Sequence, residues 1–154
     1  MLYNYEIKNL TIDELPHIMD IGRRAYDISW SKSMMQETIL SSNTFVWGVF
    51  NTEKSRMLGF AVLSVIIDES DLLMICIDPN NQRKGLGDKI LKFIIKQAKQ
   101  LNVGNIFIEV RTSNHPAICL FEKNNFNSIG LRKDYYPPKI GSGREDAIIM
   151  SLEC

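Results

Sequence analysis

The run Gln82-Arg83-Lys84-Gly85-Leu86-Gly87 has the residue types of an anion-holding turn, and it follows an apolar stretch that ends in Asp78-Pro79. Glycines, lacking Cβ, let an anion approach the main chain, and free N–H groups at a helix start point toward it. The helix dipole adds roughly 0.3–1 kcal/mol for nearby negative charge. Two familiar phosphate motifs do not fit. A P-loop needs Lys and then Ser or Thr after its last glycine, and Asp88 follows Gly87. A dinucleotide turn needs a third glycine where Ile90 stands. What remains is a diphosphate held by backbone amides, against a plain glycine turn with a solvated Arg-Lys pair.

Glu109 is the second chemical candidate. It lies in Phe107-Ile108-Glu109-Val110-Arg111, and an acid between apolar neighbours in a short strand is costly unless paired or functional. A salt bridge to Arg111 or another base is the structural alternative to a general-base role. Tyr135-Tyr136 before Pro137-Pro138 places two phenols on a stiffened loop, with ordinary loop packing as the alternative. The acidic group Asp68, Glu69 and Asp71 reads as a solvated turn, or as an attraction for a basic peptide tail.

These residues need elements to position them. Residues 2–8 alternate like a strand, and Thr11 with Glu14 offers a capping box for a helix that buries Leu15, Ile18, Met19 and Ala25. A shorter helix is predicted over 31–40. Strands follow at 44–50, 57–67 and 71–78, the last two nearly continuous in apolar residues and so central. After the glycine turn, Leu86, Ile90, Leu91, Ile94, Ala98 and Leu101 keep helical spacing, with Lys89, Lys92, Lys96 and Lys99 on the solvated face. A strand at 105–110 precedes a helix capped by Ser113 or Asn114, with Pro116 in its first turn and Asn124 or Asn125 closing it. Strands at 126–133 and 144–152 flank a loop at 134–143. The order β-α-α-β-β-β-α-β-α-β-β predicts an α/β fold, a mixed sheet covered by helices.

Composition narrows the function classes. The 154 residues suit one domain, 1–154, with 45% apolar and 23% charged residues, as in soluble globular proteins. Net charge is zero, so direct nucleic-acid binding is not expected, although residues 1–80 carry −5 and residues 81–154 carry +5. Cys76, Cys119 and Cys154 lack metal or redox spacing and read as reduced thiols; His17 and His115 have no ligand-spaced partners, so no metal is expected. No apolar run is long enough to span a membrane, and the first twenty residues show no signal-peptide pattern, which points to the cytoplasm.

Q-x-x-G-x-G between a strand ending in Asp-Pro and a long amphipathic helix resembles the acetyl-CoA signature of the GNAT N-acetyltransferases. "IEVRTSNHPAICLFEKNNF" is similar to a second stretch of that family. "RKDYYPPKIGSGREDAIIMSL" resembles the closing segment of its RimI-type branch, which acetylates the N-terminal alanine of a ribosomal protein, and "ISWSKSMM" resembles the branch's substrate-side loop. The resemblance covers most of the chain and implies a GNAT acyl-CoA N-acyltransferase fold. It also implies transfer of acetyl from acetyl-CoA to the α-amine of a protein N-terminus.

By the same resemblance, backbone amides of Arg83, Lys84, Gly85, Leu86, Gly87 and Asp88 hold the coenzyme's pyrophosphate, with the Asp88 carboxylate turned to solvent. Ile75, Cys76 and Ile77 run beside the pantetheine arm, where a bulge could splay the sheet and one N–H could hold the thioester oxygen. Asn114 hydrogen-bonds that arm, and Glu109 is the general base. Tyr135 and Tyr136 clasp the peptide, and Trp30 walls the opposite side of its entrance, unless it packs between two helices. The family's usual general-acid tyrosine is replaced by Phe121, which can pack near the sulfur but cannot donate a proton. Water, Tyr135, Tyr136 or Tyr26 would then protonate the thiolate. The acceptor is a protein or peptide N-terminus, and the enzyme a monomer or weak dimer. A GNAT acting on a small amine or antibiotic, and a weakened acyl-CoA-binding regulatory module, are the competing expectations.

Overall fold

The computed structural model describes residues 4–25, 30–138 and 143–154. Its strands are β1 Tyr5–Asn9, β2 Thr44–Asn51, β3 Arg56–Ile66, β4 Glu69–Ile77, β5 Asn105–Arg111, β6 Asn127–Tyr136 and β7 Glu145–Glu153. Its helices are α1 Leu15–Ala25, α2 Lys32–Leu40, α3 Leu86–Gln100 and α4 His115–Lys123. The strands form one mixed sheet in the order β1-β2-β3-β4-β5-β7-β6, parallel only between β4 and β5. The element order matches the one the sequence predicts.

Alternation along the strands sends neighbouring residues to opposite faces. Trp47, Ala61 and Leu63 pack with Ile90, Leu91 and Ile94 of α3 and with Phe121 of α4. Val46, Phe60 and Val62 face the other way, onto Ile18 and Met19 of α1 and Met35 of α2. The capping box forms as expected: Thr11 N donates to Glu14 Oε2 at 2.6 Å, and Asp13 N to Thr11 Oγ1 at 3.2 Å. It caps a short 3₁₀ turn that leads into α1. Asn125, at φ 71°, takes the left-handed position after α4.

Three irregularities shape the sheet where chemistry could occur. Between β3 and β4 the register passes from Val62↔Met74 to Leu63↔Leu72, so Leu73 is an extra residue. The bulge therefore falls just before Ile75–Ile77, not within it. The β4–β5 ladder has the rungs Glu69↔Asn105, Ser70↔Ile106 and Asp71↔Phe107, and ends there. Beyond Asp71 the bulged strand follows β3 while β5 follows β7, and the sheet forks. Close by, a Cβ on Gly59 would meet the Cys76 carbonyl oxygen at 2.6 Å, so glycine is required for β3 to run this near β4.

β6 holds the other two. Ile129 is extra between Ser128↔Met150 and Gly130↔Ile149. Further along, Arg132 faces Ala147 and Tyr136 faces Glu145, so three residues of β6 span the place of Asp146 alone. Asp134 turns left-handed there, at φ 52°, and donates its N–H to Asp146 Oδ1 at 2.9 Å. The expected loop thus begins later than the sequence suggests. Asp134, Tyr135 and Tyr136 close a bulged strand, and the bulge lets both consecutive tyrosines line the same cleft.

Candidate active site

The glycine turn has the geometry of an anion cradle. Arg83 and Gly85 both take left-handed conformations, at φ 64° and 79°, and Gly85 is the N-cap of α3 without a side-chain cap. The N–H groups of an α-helix's first turn have no partner within the helix. Nothing lies within 4 Å of where a Gly85 Cβ would stand, and Gln82 Nε2 anchors the turn on the Ile77 carbonyl at 3.1 Å.

Two acids brace this turn, one against expectation. The Asp88 carboxylate, 23% exposed, is not left to open solvent but is engaged by neighbouring side chains. It accepts from Lys92 Nζ at 2.7 and 2.8 Å and from Asn124 Nδ2 at 2.9 Å, and these bonds hold it below the usual carboxylate range. Its charge is thereby matched at the helix start, and α4 is tied to the first turn of α3. Asp78, 1% exposed, takes a bidentate pair from Arg24 of α1, both contacts 2.8 Å, and this bond lowers its pKa. Neither Arg24 nor Asn124 could be assigned a partner from sequence, because both partners are distant along the chain.

Ile75 and Ile77 pack toward the α3 side of the fork, while Cys76 is buried toward α1, where burial pushes its thiol well up. Asn114 is the N-cap of α4, its Oδ1 accepting from Ala117 N at 3.3 Å, which leaves the amide nitrogen for another acceptor. Phe121 is 1% exposed, its ring 5.3 Å from that of Phe126. It is a core residue of the same cluster as α3.

On the other face, behind the fork, a cleft of about 900 Å³ gathers Glu109, Tyr135, Tyr136 and Trp30, with Asp71 and Arg132. Trp30 packs against the α1–α2 core and also lines this cleft. Alternation in β5 buries Ile108 and Val110 under α3 and α4 and turns Glu109 into the cleft. Glu109 is paired, though with Arg132 of β6 and not Arg111: Arg132 Nε lies 3.1 Å from Glu109 Oε1. Interaction with the Glu109 carboxylate, and then burial, raises the pKa of Tyr135. Burial first, then the Glu109 charge, pushes Tyr136 up to about 12. The guanidiniums of Arg132 and Arg111 lie 5.3 and 4.6 Å from the Tyr135 and Tyr136 ring centres. Tyr26 lies outside the described residues.

Glu145 joins the two halves of the site. Its carboxylate accepts from Ser113 N at 2.6 Å, Thr112 Oγ1 at 3.2 Å and Arg111 at 3.3 Å. The start of β7 is thus fastened to the loop before α4. The Ser113 bonds, with those of Arg111 and Thr112, lower Glu145 from 4.5 to about 2. A folded value below the unfolded one means the stabilisation is complete above about pH 4.5 and lost as pH falls through about 2. Glu145→Gln should therefore melt below the wild type at pH 7, and the gap should close across that window. A gap independent of pH would show that these bonds need no charge.

A forked mixed sheet, with an anion cradle at one strand end and an acid-and-phenol cleft behind it, defines a class of acyl-transfer enzyme. The chain belongs to the acetyltransferase (GNAT) family, whose model matches residues 15–126. Enzymes of this family use acetyl-CoA. The [ribosomal protein bS18]-alanine N-acetyltransferase of Escherichia coli K12 is 37% identical over 147 residues, covering 95% of each chain. The enzyme of that name from Haemophilus ducreyi is 31% identical, over 95% of this chain and 98% of its own. The crystal structure of the Escherichia coli ribosomal-protein-S18-alanine N-acetyltransferase superposes with a TM-score of 0.90 at 35% identity, covering 97% and 94% of the two chains. PaiA N-acetyltransferase of Thermoplasma acidophilum, solved with coenzyme A, shares the fold at TM-score 0.78 and 21% identity, covering 98% of this chain and 99% of its own. No helix among the described residues is long and apolar enough to cross a membrane.

Proposed function

We propose that this acetyltransferase moves the acetyl group of acetyl-CoA to the α-amine of a protein N-terminus, the acceptor being the N-terminal alanine of a small-subunit ribosomal protein. The observation that carries this reading is the two-sided fork. The glycine turn and the loop before α4 lie toward one face, and Glu109, Tyr135, Tyr136 and Trp30 converge on the other. Relatives at 31–37% identity over nearly the whole chain bear names with that substrate.

In this reading backbone amides from Arg83 to Asp88 hold the diphosphate, and the Ile75–Ile77 edge and Asn114 hold the pantetheine arm. Glu109, acting through water, accepts the proton of the incoming ammonium. The amine nitrogen bonds to the acetyl carbon, the C–S bond breaks, and the coenzyme leaves as its thiolate. A terminal amine has a pKa of about 7.7–8.0, so a modest base suffices, whereas a lysine near 10.4 would need much more help. Phe121 carries no transferable proton, so the second proton, which the nitrogen sheds as the amide forms, reaches the thiolate through water. Tyr135 and Tyr136 flank the acceptor's backbone. A screen of short peptides differing in their first residue, with free CoA monitored, tests the reading: alanine-initiated peptides should lead. Preference for polyamines or aminoglycosides would replace it with small-amine acetylation, and coenzyme binding without turnover would leave only a binding module.

A further inference from the structure

The cleft contains two carboxylates, and their circumstances differ. Glu109 is matched by the Arg132 guanidinium, 3.1 Å away. Asp71 has no hydrogen-bond or ion-pair partner among the described residues, yet it lines the same cleft. The last β4–β5 rung pairs Asp71 with Phe107, and Glu109 is two residues further along β5 on the same face. The acids therefore stand on the two arms of the fork, at the point where the arms part.

Charge at that point is unbalanced. Glu109 and Arg132 cancel, and one negative charge is left over, on Asp71. Asp71 is an exposed residue of β4, yet loss of water against the cleft wall, and then the neighbouring Glu109 charge, raise its pKa, against a smaller lowering by Arg132. A carboxylate at such a place that no protein cation pairs directly, Arg132 being engaged with Glu109, is complementary to a cation that arrives with the substrate.

Resting on the reading of Glu109 as base, we propose that Asp71 is a positioning residue for the acceptor. It receives the substrate's ammonium at the fork and aims the nitrogen at the thioester, while Glu109 removes the proton. The division of labour is binding by Asp71 and proton removal by Glu109. Asp71 thus selects acceptors that arrive as ammonium ions, and it disfavours termini with an acid beside the amine. It forms no covalent bond and changes no proton count.

The test is initial-rate kinetics at saturating acetyl-CoA for wild type, Asp71→Asn and Asp71→Glu, run in parallel on an alanine-initiated peptide and on spermidine. Asp71→Asn should raise the acceptor KM about tenfold with kcat within about twofold of wild type, the signature of lost ground-state binding. Asp71→Glu should restore most of the KM, which mere packing would not allow. An unchanged KM on whichever amine the wild type acetylates overturns the assignment. So does a fall in kcat with KM unchanged, which would place Asp71 in proton transfer. Wild-type turnover of spermidine alone would defeat the peptide reading and still leave Asp71 decided by the same comparison. Wild type inert toward both amines would overturn both proposals.

Discussion

Glu109→Gln should lower kcat by at least about tenfold near neutral pH, with acetyl-CoA affinity unchanged. General-base assistance is typically worth about 10²–10⁴ in rate, and a terminal amine needs the lower end because part of it is already deprotonated. The substitution is close to isosteric. Glutamine keeps the length of the side chain and gives up the pair with Arg132. With Glu109 29% exposed and Arg132 55% exposed, that pair contributes only about 0–1 kcal/mol to stability. A melting temperature near wild type should therefore accompany the slow turnover. The defect should also shrink as pH rises past about 8, where solvent has deprotonated the amine. Turnover equal to wild type at pH 7 would remove Glu109 as the base, and a defect constant with pH would make its role structural.

The second large effect is expected at Gly85. Its φ of 79° is one that residues with a Cβ rarely hold, and such a conformation costs a side-chain-bearing residue about 1–2 kcal/mol. No protein atom lies within 4 Å of the position a methyl would take, so folding suffers from backbone strain alone. The coenzyme should suffer more, because in the proposed reading the diphosphate approaches through the space above the turn. Gly85→Ala should weaken acetyl-CoA binding at least about tenfold, by calorimetry, in a protein that still melts cooperatively. Gly87→Ala is the informative companion. Its Cβ would sit 3.4 Å from Leu120 Cδ2, an ordinary contact, and alanine favours the helix, so its fold should be intact. Wild-type coenzyme affinity in both variants would mean that the diphosphate is held elsewhere.

Local pattern made much of this molecule readable in advance. Helical spacing from Leu86 to Ala98, the Thr11–Glu14 box and the apolar runs of β3 and β4 each contain their own structural signal, and each formed. Glu109 was conspicuous because an acid among apolar neighbours is locally anomalous. What could not be read depends on register or on distant partners. The bulge at Leu73 shows only when β3 is laid beside β4, and the inserted residues of β6 only beside β7. The Glu109–Arg132, Arg24–Asp78 and Asp88–Asn124 contacts join residues 23, 54 and 36 positions apart. Asp71 was visible, but as one of three acids near a hairpin. Its place at the fork follows from where the parallel ladder stops.

The two cores on opposite faces of one sheet turn the forked layer into a partition. In the proposed reading, a long nucleotide tail on one side and a long polypeptide on the other need share only the gap between the parted strands, where one carbon and one nitrogen meet. A bulky acceptor such as a ribosomal protein could offer its first residue while the rest of its mass stays clear of the adenine end.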